Sequence, residues 1–266
     1  MQGTATRTSP SRVDVSAIDC SGLRRVFGRH VALDGIALDV RPGELYGFLG
    51  PNGAGKTTTI RILTGLLLPS SGTARVAGFD VVRDPFEVKR RIGYVPDRVF
   101  LYEKLTGAEF LEFVGDLYGL GRPRVRESAQ PYVERFGLGG WIHELIEAYS
   151  HGMRQKLALA AALLHEPEVL ILDEPMVGLD PRSARDVKEL LQEFAADGRT
   201  VFLSTHTLEV AEALCSRVAI IQAGRILTQG TLDDLRREAR HDGGSLEAVF
   251  LRLTDPTASV ERVALA

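Results

Sequence analysis

The stretch LYGFLGPNGAGKT (45–57) decides the fold class. Its first five residues are typical of a buried strand, and a helix is predicted to begin at its end. The loop between them, GPNGAGKT (50–57), matches the spacing G-x-x-x-x-G-K-[ST]. Gly50, Gly53 and Gly55 let the loop curl so that backbone N–H groups point inward, and the helix N-terminus adds its dipole. This strand–loop–helix unit predicts a site for the phosphates of a nucleoside triphosphate.

Side chains of the same loop supply a cation and a hydroxyl. Lys56 is predicted to reach the β- and γ-phosphates, and the Thr57 hydroxyl is predicted to ligate Mg²⁺. The alternative is a glycine-rich turn with an exposed lysine, which the flanking strand and helix disfavour. The residues predicted to contact the nucleotide in this loop are Gly50, Asn52, Gly53, Ala54, Gly55, Lys56, Thr57 and Thr58.

Strand-like and helix-like segments alternate along the rest of the chain. Strands are predicted at 13–20, 31–40, 45–49, 73–77, 92–95, 169–173 and 201–205, with a hairpin at 219–227. Helices are predicted at 56–67 and from Ser183, and 105–164 has a helical pattern. Strands, then helices, then strands again indicate an α/β fold with a helical insertion.

The segment VLILDEP (169–175) ends a buried strand on two carboxylates. Asp173 is predicted to lie at the C-terminal edge of a parallel sheet, beside the glycine-rich loop, where it would hold the Mg²⁺ shell. Glu174 could accept a proton from the attacking water or orient it. The alternative is that Glu174 is a solvated carboxylate at a strand end.

Two further motifs follow along the chain. MVGLDP (176–181) places Asp180 in a turn, and LSTH (203–206) places His206 at the end of the next strand. That position, on the edge of the sheet where ligands bind, favours contact between His206 and the γ-phosphate. A structural histidine is the alternative.

Composition excludes several classes of function. The 266 residues, 44% hydrophobic and 25% charged, indicate a soluble globular protein with a sizeable core. A net charge of −3 makes nucleic acid an unexpected partner. Cys20 and Cys215 fit inert thiols in a reducing compartment. The longest apolar run, 157–164, is shorter than the roughly 20 residues of a membrane span, so another chain would supply any membrane segment.

Residues 14–232 resemble the ATP-binding subunits of ABC transporters. The glycine-rich loop (the P-loop), LDEP, GLDP and STH occur in the order of that family. YSHGMRQ (149–155) occupies the place of the family signature, most often Leu-Ser-Gly-Gly-Gln. Ser150 and Gly152 match this signature and the neighbouring positions differ, as they do in bacterial members with a YSHGM-type signature.

The resemblance implies a P-loop NTPase core with a mostly parallel sheet, an antiparallel β subdomain and an inserted α-helical subdomain. It also implies an ATPase that uses ATP and Mg²⁺ and drives a separate integral membrane permease from the cytoplasmic face of the membrane, with export as the expected direction. Two copies, or this chain and a homologous subunit, would pair head to tail. Each ATP would then lie between one P-loop and Ser150 and Gly152 of the other copy, and Asp180 is a further implied nucleotide contact. The implied catalytic residues are Lys56, Glu174 and His206.

Two positions leave their roles open. IGYVPD (92–97) resembles the mobile loop of the family, but Asp97 stands where a glutamine is usual. Asp97 could ligate Mg²⁺, act through a water, or not contact the ion. Phe27 has the position of the aromatic residue that stacks on adenine, and packing at the sheet edge is the alternative.

The resemblance also divides the chain into segments. These are a tail (1–13), an ATP-binding domain (14–240) with its helical subdomain at about 98–164, and a C-terminal helical extension (241–266). An apolar stripe in the extension is predicted to dock on its own domain, with a partner-binding helix as the alternative. The stripe consists of Leu246, Val249, Phe250 and Leu253.

Three apolar residues, Phe100, Leu101 and Tyr102 (the FLY cluster), follow the mobile loop. They are a candidate contact for the permease, and burial in the helical subdomain is the alternative. The rival function is a soluble ABC-type ATPase acting in translation or DNA repair. Those relatives carry two such domains, long coiled coils or zinc-binding cysteines, which this sequence lacks. It also lacks the NKxD tetrapeptide of a GTPase.

Overall fold

The computed structural model describes residues 16–239, 247, 250 and 251. The predicted tail and most of the predicted extension, including Leu246, Val249 and Leu253, lie outside the described residues. Phe250 is helical and packs, partly buried, against the hydrophobic core that includes Leu172 and Leu203. No helix of the described part of the chain is long and apolar enough to cross a membrane.

The described strands and helices alternate along the chain. The strands are β1 (Ile18–Phe27), β2 (His30–Val40), β3 (Leu45–Leu49), β4 (Ser71–Val76), β5 (Phe79–Asp80), β6 (Ile92–Val95), β7 (Val169–Asp173), β8 (Thr200–Thr205), β9 (Arg217–Gln222) and β10 (Arg225–Thr231). The helices are α1 (Lys56–Leu63), α2 (Pro85–Arg91), α3 (Gly107–Leu117), α4 (Arg122–Arg135), α5 (His151–Leu163), α6 (Pro181–Ala196), α7 (Leu208–Leu214) and α8 (Leu232–Ala239), with a 3₁₀ turn at Ile146–Ala148.

The larger sheet has the strand order β10-β9-β3-β8-β7-β6. Its neighbouring strands are parallel except for the β9–β10 hairpin, which confirms the mostly parallel sheet. Every residue of β3, β7 and β8 is buried, because other elements cover both faces of these strands. Two-sided burial explains why these strands are continuous apolar runs. Their carboxyl ends lie at one edge of the sheet.

A smaller antiparallel sheet, ordered β2-β1-β4-β5, confirms the predicted β subdomain. One core joins it to the larger sheet and to α1. Ile18 of β1, Leu33 of β2, Phe48 of β3 and Ile60 of α1 are completely buried there. Because α1 packs between strands of both sheets, the P-loop that precedes it is held from two sides.

A second core covers the opposite face of the larger sheet. Leu49, Leu172 and Leu203, at the carboxyl ends of β3, β7 and β8, contribute to this core together with residues of α3 to α7. Thr106 begins α3 with a capping box, in which its hydroxyl accepts from the Glu109 N–H and Glu109 accepts from the Thr106 N–H. The helices α3, α4 and α5 form the inserted helical block.

Several predicted boundaries differ from the structure, and three of them have a clear physical cause. The strand predicted at 13–20 instead runs from Ile18 to Phe27, because register shifts against β2 let it continue past Gly22. The helix predicted to extend to residue 67 ends at Leu63, where Gly65 at φ 67° takes the left-handed conformation that terminates helices. The helix predicted from Ser183 begins at Pro181, because proline suits a first helical position.

Candidate nucleotide site

The P-loop joins β3 to α1 through backbone conformations that demand glycine. A Cβ added to Gly50 would lie 2.3 Å from the Ile221 carbonyl oxygen, closer than van der Waals contact allows. Gly53 at φ 77° and Gly55 at φ 114° have positive φ values that L-residues rarely adopt. The loop therefore keeps its curled shape only with these glycines, as the sequence motif predicts.

Lys56 lies inside the curl of the P-loop. It is 6% exposed, and its Nζ donates to the carbonyl oxygens of Gly50 at 2.7 Å and Pro51 at 3.3 Å. The same Nζ is 3.6 Å from Oε1 of Glu174. A fixed ammonium group and a helix N-terminus thus face the same loop, which is the arrangement that attracts phosphate.

Asp173 ends β7 beside the P-loop and is 2% exposed. The Thr57 hydroxyl donates to its Oδ2 at 2.9 Å, and the Ser204 hydroxyl donates to its Oδ1. In the described part of the chain no three His, Cys, Asp or Glu side chains lie close enough together to hold a metal ion by themselves. The pair of Thr57 and Asp173 oxygens fits Mg²⁺, which binds through one or two carboxylates together with substrate phosphates.

Glu174 is largely buried, so its interpretation as a solvated carboxylate is wrong. Its side chain is 11% exposed, and Oε1 is 2.9 Å from Nδ1 of His206. Its backbone has a φ of 52°, a strained conformation that turns the chain away from the strand. The Glu174 N–H donates to the Ser204 carbonyl at 3.1 Å and fixes this turn. The carboxylates of the adjacent residues Asp173 and Glu174 therefore point in different directions, that of Asp173 to Thr57 and that of Glu174 to Lys56 and His206.

A cavity of about 300 Å³ joins these groups. Asp97 and the 44%-exposed ring of Phe27 line it together with the P-loop, Asp173 and Glu174. The Phe27 ring lies 4.4 Å from the Arg25 guanidinium carbon, and its stacking on adenine stays a prediction. His30 and Ala32 also line the cavity. Sequence reasoning missed both, although they follow Phe27 across a tight turn.

Ser150, Gly152 and Asp180 are not among the residues that line this cavity in the described structure. Ser150 is the N-cap of α5, where its side chain accepts from the Met153 N–H at 3.3 Å. Asp180 is the N-cap of α6 and accepts from Arg182 and Ser183. The hydrogen bonds from Ser183 hold the pKa of Asp180 below its ordinary value.

The signature segment and the loop before α6 contact each other within the chain. A Cβ built on Gly152 would be 3.7 Å from Leu179 Cδ2, and one on Gly178 would be 2.6 Å from His151 Cδ2. His151 therefore packs on the backbone of Gly178. The Tyr149 hydroxyl donates to the Trp141 carbonyl at 2.6 Å. The signature residues that differ from the family pattern at 149 and 151 thus have structural contacts of their own.

A P-loop and an Asp–Glu pair beside one cavity, with a histidine 2.9 Å from the glutamate, define the class as a P-loop ATPase with an inserted helical subdomain. Residues 33–177 match the ABC transporter family. Among known proteins, the chain is 44% identical to the daunorubicin/doxorubicin resistance ATP-binding protein DrrA of Streptomyces peucetius, over 96% of this chain and 82% of that one. It is 38% identical to the ABC transporter ATP-binding protein NatA of Bacillus subtilis, over 83% and 89%.

Its fold matches a solved ATP-binding subunit of an ABC transporter with a TM-score of 0.84 and 33% identity, over 90% of this chain and 99% of the other. The chain belongs to the ABC transporter family and is an ATP-binding subunit of that family. It is an ATPase coupled to transport, and the alternative role in translation or DNA repair is wrong.

Proposed function

We propose that two copies of this chain bind ATP with Mg²⁺ between them, head to tail, and power the export of a small toxic compound through a separate membrane permease. The observation that carries the dimer is the separation of two half-sites on one chain. The P-loop, Asp173 and Glu174 line one cavity, whereas Ser150 and Gly152 lie elsewhere, next to the loop that precedes Asp180. A second copy brings these groups to the phosphates.

Within each half-site, the residues have distinct proposed tasks. Lys56 neutralises the β- and γ-phosphates, and Thr57 and Asp173 hold the cation. Glu174 accepts the proton of the attacking water. His206 lies 2.9 Å from the Glu174 carboxylate and orients that carboxylate. Ser150 and Gly152 belong to the YSHGM-type subgroup of signatures and offer a hydroxyl and an open backbone at the start of α5.

Gly152→Asp tests the head-to-tail dimer. In a Glu174→Gln background, slow hydrolysis lets an ATP-bound dimer accumulate. The added carboxylate would face the γ-phosphate of the partner's nucleotide. At about 4 Å and an effective dielectric near 20, each unit of like charge costs about 4 kcal/mol, roughly a thousandfold in association. Only Leu179 Cδ2 lies within reach of the new Cβ, at 3.7 Å, so the fold tolerates the change.

Light scattering should show a monomer for Gly152→Asp, while titration should show unchanged ATP affinity. Gly121→Asp is the matched control, because it adds the same negative charge at another helix start, the exposed N-cap of α4, where the new side chain has space. It should dimerise normally. A normal ATP-dependent dimer of Gly152→Asp would refute the proposed interface, and loss of ATP binding by the monomer would place the signature on the nucleotide of its own chain.

The FLY cluster is the proposed contact with the permease. Phe100 is 88% exposed and Tyr102 is 60% exposed, whereas Leu101 packs against the core. Burial of the whole cluster in the helical subdomain is therefore wrong. The next residue, Glu103, pairs with Arg154 at 2.6 Å, and Arg154 donates to the Tyr149 carbonyl at 3.2 Å. Movement of this loop is thereby tied to the start of α5.

Phe100→Asp should abolish co-purification of an integral membrane protein from detergent-solubilised membranes and leave the ATP-driven dimer intact. Val82→Asp, at a position 47% exposed on another loop, is the control that should retain the partner. Equal recovery of the partner with both variants would place the contact elsewhere.

Export is supported by the resistance role stated in the name of the relative from Streptomyces peucetius. With the co-purified permease in inside-out vesicles, ATP should drive uptake of daunorubicin, used as a probe. ATP-driven loss of a preloaded compound from such vesicles would show import instead.

A further inference from the structure

Ser204 lies behind the two carboxylates of the nucleotide site. It is the fifth residue of β8, it is completely buried, and it is the register partner of Asp173 in β7. It touches the site through two different atoms. Its hydroxyl donates to Asp173 Oδ1, and its carbonyl accepts from the Glu174 N–H at 3.1 Å.

The hydroxyl of Ser204 completes the set of contacts around Asp173. Thr57 donates to Oδ2 of Asp173 from one side at 2.9 Å, and Ser204 occupies Oδ1 from the other. A carboxylate with one donor can rotate about its terminal torsion, which is broad for aspartate. A donor on each oxygen fixes the carboxylate plane and so the direction in which Oδ2 faces Thr57.

We propose that Ser204 is a positioning residue for the cation: its hydroxyl holds Asp173 so that Oδ2 and the Thr57 hydroxyl form a ready pair of oxygen ligands. The inference rests on the proposed Mg²⁺ ligation by Asp173 and Thr57. Groups that orient metal ligands typically contribute 10- to 100-fold to metal affinity. Ser204 acts through Asp173 and contacts neither the cation nor the nucleotide.

Ser204→Ala tests the proposal because it removes the hydroxyl and keeps the backbone carbonyl that holds Glu174. The affinity for ADP is measured by calorimetry twice, with excess EDTA and with Mg²⁺. Without the cation, the parent and the variant should bind ADP equally within about twofold. The gain in ADP affinity on adding Mg²⁺ should fall about 10- to 100-fold in the variant.

Two variants keep the result interpretable. Ser204→Cys has a similar size and a weaker donor, so it should lose part of the Mg²⁺-dependent gain, and it carries the test should the alanine variant not fold. Thr64→Val removes another buried hydroxyl, at the far end of α1, where Thr64 donates to the Ile60 carbonyl. It should leave the gain unchanged.

Asp173→Asn separates this proposal from the metal assignment on which it rests. If Asp173→Asn loses the Mg²⁺-dependent gain and both Ser204 variants keep it, Ser204 does not position the ligand. If Asp173→Asn keeps the gain as well, the assignment of Asp173 to the cation is wrong. Equal loss of ADP affinity with and without Mg²⁺ in the Ser204 variants would show a general structural role and overturn the proposal.

Discussion

Glu174→Gln tests the chemistry of the site most sharply. The change removes the proton acceptor and keeps the size of a side chain that is 11% exposed and lies 2.9 Å from His206. Loss of a general base costs on the order of 10²–10⁴ in rate. At about 1.36 kcal/mol per tenfold, the barrier should rise by about 2.7–5.4 kcal/mol. Single-turnover hydrolysis of radiolabelled ATP measures this directly.

The affinity of the Glu174→Gln variant for ATP should rise or stay unchanged. Glu174 Oε1 is 3.6 Å from Lys56 Nζ, where two unit charges attract by about 4–5 kcal/mol at an effective dielectric near 20, before desolvation is counted. The amide releases Lys56 to the phosphates. Glu44→Gln, which breaks a pair with Arg217 at the other end of β3, is the control and should retain turnover. Turnover of Glu174→Gln within a few-fold of the parent would refute the role of general base.

Two further substitutions test the lysine of the P-loop and the Mg²⁺ site. Lys56→Ala should weaken ATP binding and abolish hydrolysis, because the triphosphate loses the ammonium held inside the P-loop. Equilibrium binding of a fluorescent ATP analogue measures the loss of affinity. Near-normal turnover would contradict the P-loop assignment. Asp97→Gln should raise the Mg²⁺ concentration needed for half-maximal activity, since Asp97 lines the cavity and an amide lacks its charge. An unchanged Mg²⁺ titration would show that Asp97 does not ligate the ion.

The parts of the fold that sequence could predict are those governed by burial on both faces. The bounds of β3, β6 and β7 agree with the continuous apolar runs at 45–49, 92–95 and 169–173. The ends of strands and helices were less predictable. The extent of β1 depends on bulges against β2, and the end of α1 depends on the conformation of Gly65.

The same contrast holds for the site. The sequence could predict that one edge of the sheet carries Thr57, Asp173 and His206, because the carboxyl ends of parallel strands lie at the same edge. The contact of Ser204 with Asp173 could not be predicted, because the partner of a serine inside an apolar strand is known only once the register with β7 is known. The contact of His151 with Gly178 likewise needs the tertiary packing of two loops distant in sequence.

Cross-linking between chains measures the head-to-tail arrangement directly. One chain carries Asn52→Cys in the P-loop and the other Ser150→Cys in the signature, both at exposed positions and both with Glu174→Gln. The native thiols, Cys20 and Cys215, are buried, and burial raises the pKa of Cys215 to about 12, so they stay unreactive.

With ATP and a short bifunctional maleimide, the mixture should give a product of two 29.0 kDa chains, and neither chain alone should give it. Omitting ATP should abolish the product. Absence of this species from the ATP-containing mixture, together with cross-linking inside one chain that carries both cysteines, would contradict the account.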